Sequence, residues 1–145
     1  VHSDEAKRRI EGARVARLAT ADAEGKPHII PFVLAVEDDM IYSAVDAKAK
    51  RSTSLRRLAN IAANHRVAVL VDEYDDADWS ALWWARADGK ARVLDAGSRH
   101  GLRAIELLVG RYEQYSTTRP SGPVIAIDVD RWTGWEAARR LSAHG

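Results

Sequence analysis

The chain has 145 residues, 46% hydrophobic and 30% charged, with a formal net charge of +1 and no cysteine. That length suits one domain able to bury roughly two thirds of its unfolded surface, and the composition excludes a disordered, collagen-like or disulfide-stapled protein. No apolar run approaches the roughly 18 residues of a membrane helix, residues 1–5 lack a leader's apolar core, and a charge near zero gives no whole-molecule attraction to nucleic acid, so a cytoplasmic protein with neither membrane nor nucleic acid as partner is expected.

Residues 3–13 read as a short amphipathic helix, a lid or flank: Ser3 caps it, Asp4 and Glu5 suit its positive end, and Gly12 stops it. A short strand over 14–20 follows, then the turn Asp22-Ala23-Glu24-Gly25, whose glycine permits a positive φ, and a partner strand over 26–36. The run from His28 to Val36 is apolar on both faces, which predicts burial on both sides, and Pro31 removes one ladder donor. The acidic turn Glu37-Asp38-Asp39 leads to a third strand over 40–45, so the chain opens as a meander. Leu55, Leu58, Ala59 and Ala62 recur at helical spacing behind Ser52, Thr53 and Ser54, each able to cap a helix start. A strand over 67–71 comes next, then an acidic loop over 73–78. The strand begun at 80–84 continues through an Asp88-Gly89 turn into 90–94. A helix over 98–110 places Leu102, Ile105, Leu108 and Val109 on one face. Residues 115–123 read as a loop, 124–129 as the last strand, and Trp132-Thr133-Gly134-Trp135 closes the ordered part. Strands grouped as meanders predict an α+β barrel, with six or seven mostly antiparallel strands and two or three helices in one domain over 1–145, rather than a doubly wound sheet.

The sharpest chemical feature is a charge asymmetry. Between Ala47 and Val71 there is no Asp or Glu, whereas Lys48, Lys50, Arg51, Arg56, Arg57 and Arg66 are all basic. A strand end runs through this stretch into a helix start, and phosphate binding needs the cations and unpaired N–H groups found there. A solvated basic loop is the plainer alternative. The five tryptophans either wall a pocket or fill a core or subunit interface. Trp83 and Trp84 are adjacent, so in a strand they face opposite sides and only one lines a given pocket. The histidines at 2, 28, 65, 100 and 144 show no metal-ligand spacing, and the glycines form neither GxGxxG nor a P-loop. No catalytic triad or carboxylate pair can be nominated.

Taken in order, Val15-Ala16-Arg17-Leu18-Ala19-Thr20, Gly25-Lys26-Pro27-His28, Ile30-Pro31-Phe32-Val33, Ile41-Tyr42-Ser43, Lys50-Arg51-Ser52 and Arg66-Val67-Ala68-Val69-Leu70-Val71 resemble the pyridoxamine phosphate oxidase superfamily. The ending Asp128-Val129-Asp130-Arg131-Trp132-Thr133-Gly134-Trp135 is similar to that of its coenzyme F420-dependent branch. The resemblance implies a split β-barrel that dimerises with itself, holding a flavin-type cofactor in the groove between subunits. It assigns the cofactor phosphate to Lys50 and Arg51, with Lys48 and Ser52 beside them. It lays the cofactor ring along Ile30, Pro31, Phe32 and Val33, and brings Tyr42, Ser43 and Trp84 to the same groove. The flavin mononucleotide (FMN) oxidases of the superfamily carry Ser-Arg-Lys where this chain has Ala49-Lys50-Arg51, and no C-terminal arginine motif for pyridoxal phosphate is present, which points away from pyridoxamine oxidation. The implied activity is an F420-dependent oxidoreductase moving hydride between reduced deazaflavin and a small organic substrate. The alternatives are an FMN-dependent oxidase or flavin reductase, or a non-catalytic F420-, flavin- or haem-binding protein. In each enzymatic reading the cofactor carries the redox chemistry and no metal is needed.

Overall fold

The computed structural model describes residues 1–45 and 52–137. Its strands are β1 (Ala16–Ala21), β2 (Pro27–Phe32), β3 (Ala35–Glu37), β4 (Met40–Ala44), β5 (Arg66–Glu73), β6 (Trp83–Leu94) and β7 (Val124–Glu136), and its helices are α1 (Ser3–Gly12), α2 (Ser52–Ala63), α3 (Arg99–Arg111) and α4 (Glu113–Thr117). The strands form one antiparallel sheet in the order β2-β1-β5-β6-β7-β4-β3. β2 and β3 lie at opposite ends of that order, yet only Val33 and Leu34 separate them in sequence. So short a link reaches about 10 Å, and the sheet must therefore curl until its two ends meet. The product is an α+β split barrel, as the sequence predicts.

Tyr112 marks the seam. Its hydroxyl accepts the Leu34 N–H at 3.1 Å and lies 3.0 Å from the Leu34 carbonyl and 2.9 Å from that of Arg14. One phenol thus satisfies backbone groups that the interrupted ladder leaves without strand partners. The sequence predicts one strand over 26–36, buried on both sides. The structure breaks it at the seam and leaves β2 half open: Phe32 is buried, whereas Ile29 is 63% exposed. Its outward side chains face a side of the sheet that carries no described helix.

The barrel interior gathers Leu18, Phe32, Ile41, Val69, Ile125 and Ile127. Each such apolar side chain contributes roughly 1.5–3 kcal/mol when fully buried. α1 is part of this core rather than a lid, since Ala6 and Ile10 are both fully buried in it. The small Ala85, Ala87 and Ala91 of β6 leave room inside the barrel for such packing. His2, not Ser3, caps α1, its Nδ1 accepting the Asp4 N–H at 3.2 Å. α2 is fixed to β1 by a buried hydrogen bond from Asn60 Nδ2 to Thr20 Oγ1, 3.0 Å long. Its Leu55, expected on the apolar face, is 58% exposed. α3 is capped by Ser98 and covers a smaller second core of Tyr42, Ala104, Ile105, Val124 and Ala126.

Four further expectations change. Asp88-Gly89 is not a turn: β6 runs unbroken through it, and the register against β7 shifts there in a bulge. A Cβ on Gly89 would collide with the Asp128 carbonyl, so the glycine serves close backbone approach rather than chain reversal. Residues 80–82 belong to a 3-10 turn, Trp79–Ala81, and its C-cap instead of the strand. Finally, β7 extends to Glu136, well beyond the predicted 129, and α4 occupies part of the predicted loop over 115–123.

Candidate functional site

Strand alternation sends one set of side chains into the barrel and the other onto an outer face. Across β2, β1, β5, β6 and β7 that outer set forms three rows. Pro31, Arg17, Leu70, Arg86 and Thr133 lie opposite one another in the first row, and Ile29, Ala19, Ala68, Asp88 and Arg131 in the second. Asp72, Trp84 and Trp135 make the third. The middle of the face is apolar and low, with Pro31, Ile29, Ala19, Ala68 and Leu70, and the charges stand around it. Pro31 and Leu70 are two strands apart, about 10 Å. A flat ligand a few rings wide spans that distance.

β2 also has a free edge. It pairs only with β1, so the other side of its backbone has no strand partner among the described residues. Such an edge offers N–H and C=O groups to a ring with its own donors and acceptors, except at Pro31, which has no N–H. Pro31 points to the open face, while Ile30 and Phe32 turn inward and pack with the barrel core. Val33 lies at the seam, half-buried. The four positions expected beside a cofactor ring, three at the end of β2 and Val33 just after it, are thus contiguous, but they face two sides.

At the other end of the face the adjacent tryptophans part as alternation requires. Trp83 packs against the core with the Arg9 guanidinium 4.7 Å from its ring centre. Trp84 points outward beneath Arg86, 5.6 Å from its ring, and Arg86 Nε is held by Asp88 at 3.0 Å. A cleft of about 410 Å³ opens here between Leu70, Asp72, Leu82, Trp83, Trp84, Arg86 and Trp135. Of the remaining tryptophans, Trp132 is structural: it donates to Asp39 at 3.0 Å and packs against the core.

Tyr42 and Ser43 are not brought to this face. Tyr42 is 3% exposed under α3, its hydroxyl 2.7 Å from His100 Nε2, and burial pushes its phenol up from the usual range. Ser43 is 1% exposed on the opposite side of β4, the side of Ile41. Lys48, Lys50 and Arg51 lie outside the described residues, and Ser52 is the first residue of α2. Within α2, Arg57 is half-buried, its Nε has no hydrogen-bond partner, and burial pulls its guanidinium below the usual range. A cation sealed in that way favours a nearby anion. Arg66 instead reaches Asp130 at 3.7 Å. Among the described residues no three His, Cys, Asp or Glu side chains gather as a metal site requires.

Sequence reasoning missed Arg17, Leu70, Asp72, Arg86 and Trp135 as members of the face. Alternation along their strands could have assigned them to one side, but which side lacks a helix follows only from the tertiary arrangement.

The chain is thus a seven-stranded split barrel with one sheet face that carries no described helix and a free strand edge at β2. The model of the pyridoxamine 5'-phosphate oxidase family matches residues 3–136, and the chain belongs to that family. A curated relative, a 5a,11a-dehydrotetracycline/5a,11a-dehydrooxytetracycline reductase of Streptomyces rimosus, is 29% identical over 83 residues, covering 57% of this chain and 57% of the relative's own length. Among solved structures, an FAD-binding protein of Mesorhizobium loti superposes with a TM-score of 0.74 at 22% identity, covering 95% of this chain and 96% of the other. The haem storage protein HutZ of Vibrio cholerae superposes with a TM-score of 0.69 at 16% identity, covering 92% of each chain. At these identities the two structures share the fold. No helix among the described residues is long and apolar enough to cross a membrane.

Proposed function

We propose that the protein is a cytoplasmic oxidoreductase that uses coenzyme F420 and works as a homodimer, with the cofactor held between the open sheet faces. The observation that carries this reading is the open face itself: a low apolar strip beside an unpaired strand edge, in a chain with six basic residues between 48 and 66. The groups present fit such a cofactor. The backbone of Ile30, Pro31, Phe32 and Val33 borders the ring. Lys48, Lys50, Arg51 and Ser52 take the phosphate at the start of α2, and Arg57 adds a half-buried cation suited to the acidic tail. Trp84 walls the far side, while Tyr42 beneath α3 and Ser43 on the opposite side of β4 are buried and brace that strand. When bound, the deazaflavin supplies hydride transfer. The protein's share is to orient the substrate and exclude water, which requires no acid or base of its own. The reductase relative from Streptomyces rimosus supports an oxidoreductase.

A second reading, FMN in place of F420, is favoured by the FAD-binding neighbour. A fluorescence titration of the purified protein with each cofactor separates them. Saturable binding of F420 alone is the expected result, and preference for FMN moves the protein to the second reading. Binding of neither removes the proposed activity. Replacing Lys50 and Arg51 together by Ala should weaken F420 about tenfold, because charge-assisted phosphate contacts are the strong ones. The thermal midpoint should stay put.

A further inference from the structure

Charge is unevenly spread along the chain. Six basic residues fall between 48 and 66 with no Asp or Glu, whereas residues 72–85 hold Asp72, Glu73, Asp75, Asp76 and Asp78 and not one Lys or Arg. Two clefts open along this acidic segment. The first is the one of about 410 Å³ described above. The second, about 560 Å³, lies between Ala77, Asp78, Trp79, Ser80, Leu82, Trp135 and Ala137. They adjoin at Leu82 and Trp135, which line both, as a two-part groove whose parts are each of a size usual for small-molecule sites.

Four of the chain's five tryptophans line that groove, Trp79 being 65% exposed and Trp135 47%. Indole rings left this open present flat, electron-rich faces that attract flat rings and cations. The one cation on the wall, Arg86, is already engaged by Asp88 and by the Trp84 face. The carboxylates remain. Asp78 accepts from Ser80 N at 3.0 Å and Ser80 Oγ at 2.5 Å, bonds that hold it below the usual carboxylate range and so ionised. The Asp72 side chain has neither a hydrogen-bond nor an ion-pair partner among the described residues. Thr133 Oγ1, on the same side of β7 as Trp135, is buried without a partner.

We propose that this groove binds flat aromatic or polycyclic molecules carrying a protonated amine, the ring between Trp84 and Trp135 and the ammonium toward Asp72. The charge pattern argues against a cofactor phosphate there, since the carboxylates would repel it. Its role as the substrate site of the reductase rests on the function proposed above, while the binding itself does not.

Two probes of one ring and opposite charge test it: 1-naphthylmethylammonium and 1-naphthalenesulfonate, each titrated into the cofactor-free protein and followed by tryptophan fluorescence and calorimetry. The ammonium should bind one site at least about tenfold more tightly than the sulfonate. Trp135→Ala should weaken it about tenfold, and Asp72→Asn should bring the two probes within about threefold of each other. Both positions are exposed, and an unchanged thermal midpoint checks that each variant folds. Equal affinity for the two probes overturns the inference, as do an absence of saturable binding and indifference to both substitutions. F420 is titrated into the same preparation. F420 binding without ammonium binding discards the groove and keeps the cofactor reading. Ammonium binding without F420 keeps the groove as a binding site and removes its part in the proposed reaction.

Discussion

Leu18 and Ile29 sit on neighbouring strands, both large, branched and aliphatic, and their situations are opposite. Leu18 is fully buried in the barrel, and Ile29 is 63% exposed on the outer face. The same contrast runs along β6, where Ala85, Ala87 and Ala91 are sealed and the alternate positions Trp84, Arg86 and Asp88 line the open side. The two faces are therefore under different demands. Inner side chains are fixed by packing, where a missing methylene leaves a cavity. Outer ones are free to serve binding, because the barrel stands without them.

Substitutions that separate the faces put this to the test. Leu18→Ala should cost about 2–5 kcal/mol, read as a lower denaturant midpoint at unchanged slope. Gly89→Ala, where strand β6 touches the Asp128 carbonyl, should cost about 1–3 kcal/mol through forced backbone movement. Loss of less than half a kcal/mol would show that the bulge accommodates a side chain. Ile29→Ala should move stability by no more than about 0.5 kcal/mol. In the proposed dimer its effect should appear in sedimentation instead, as weaker self-association, whereas a large loss of stability with unchanged assembly would reverse the contrast between the faces.

The smallest effect concerns the Glu37–Arg103 pair, with a 3.3 Å bond from Arg103 Nε to Glu37 Oε1. The hydrogen bond from Arg103 holds the Glu37 carboxyl below its ordinary 4.5. The folded state thus takes up a proton less readily than the unfolded one. The stabilisation is complete above the ordinary value and is lost as pH falls through the lowered one. Thermal midpoints of the parent and of Glu37→Gln should differ slightly at neutral pH and converge in acid. A gap that widens in acid would contradict the sign.

Much of this was legible in the sequence. Alternation found the strands, the Asp22–Gly25 turn appears with Gly25 at φ +84°, and the adjacent Trp83 and Trp84 divide between the core and the outer side, although both, not one as expected, border the cleft of about 410 Å³. What failed, failed for nameable reasons. Asp-Gly is a strong turn signal, and nothing local distinguishes it from a bulge that needs a glycine for close contact with another strand. The run 29–36 is apolar throughout, so its pattern could not reveal that its two halves belong to opposite ends of the sheet. Tyr42 was expected beside the ligand because its strand neighbours that groove, but its cover, α3, comes from far along the chain. The phosphate assignment to Lys48, Lys50 and Arg51 is neither met nor contradicted, since these three lie outside the described residues.

The strand order also dictates an order of events during synthesis. β1, β2, β5 and β6 are neighbours that can pair as soon as residue 94 has left the ribosome. β4 is made before two of them, yet it joins that group only through β7, which comes last. Until then Ile41 and Tyr42, both nearly inaccessible in the finished barrel, have nowhere to hide. The nascent chain is most prone to stick to its neighbours, and most in need of a chaperone, in the interval before β7 emerges.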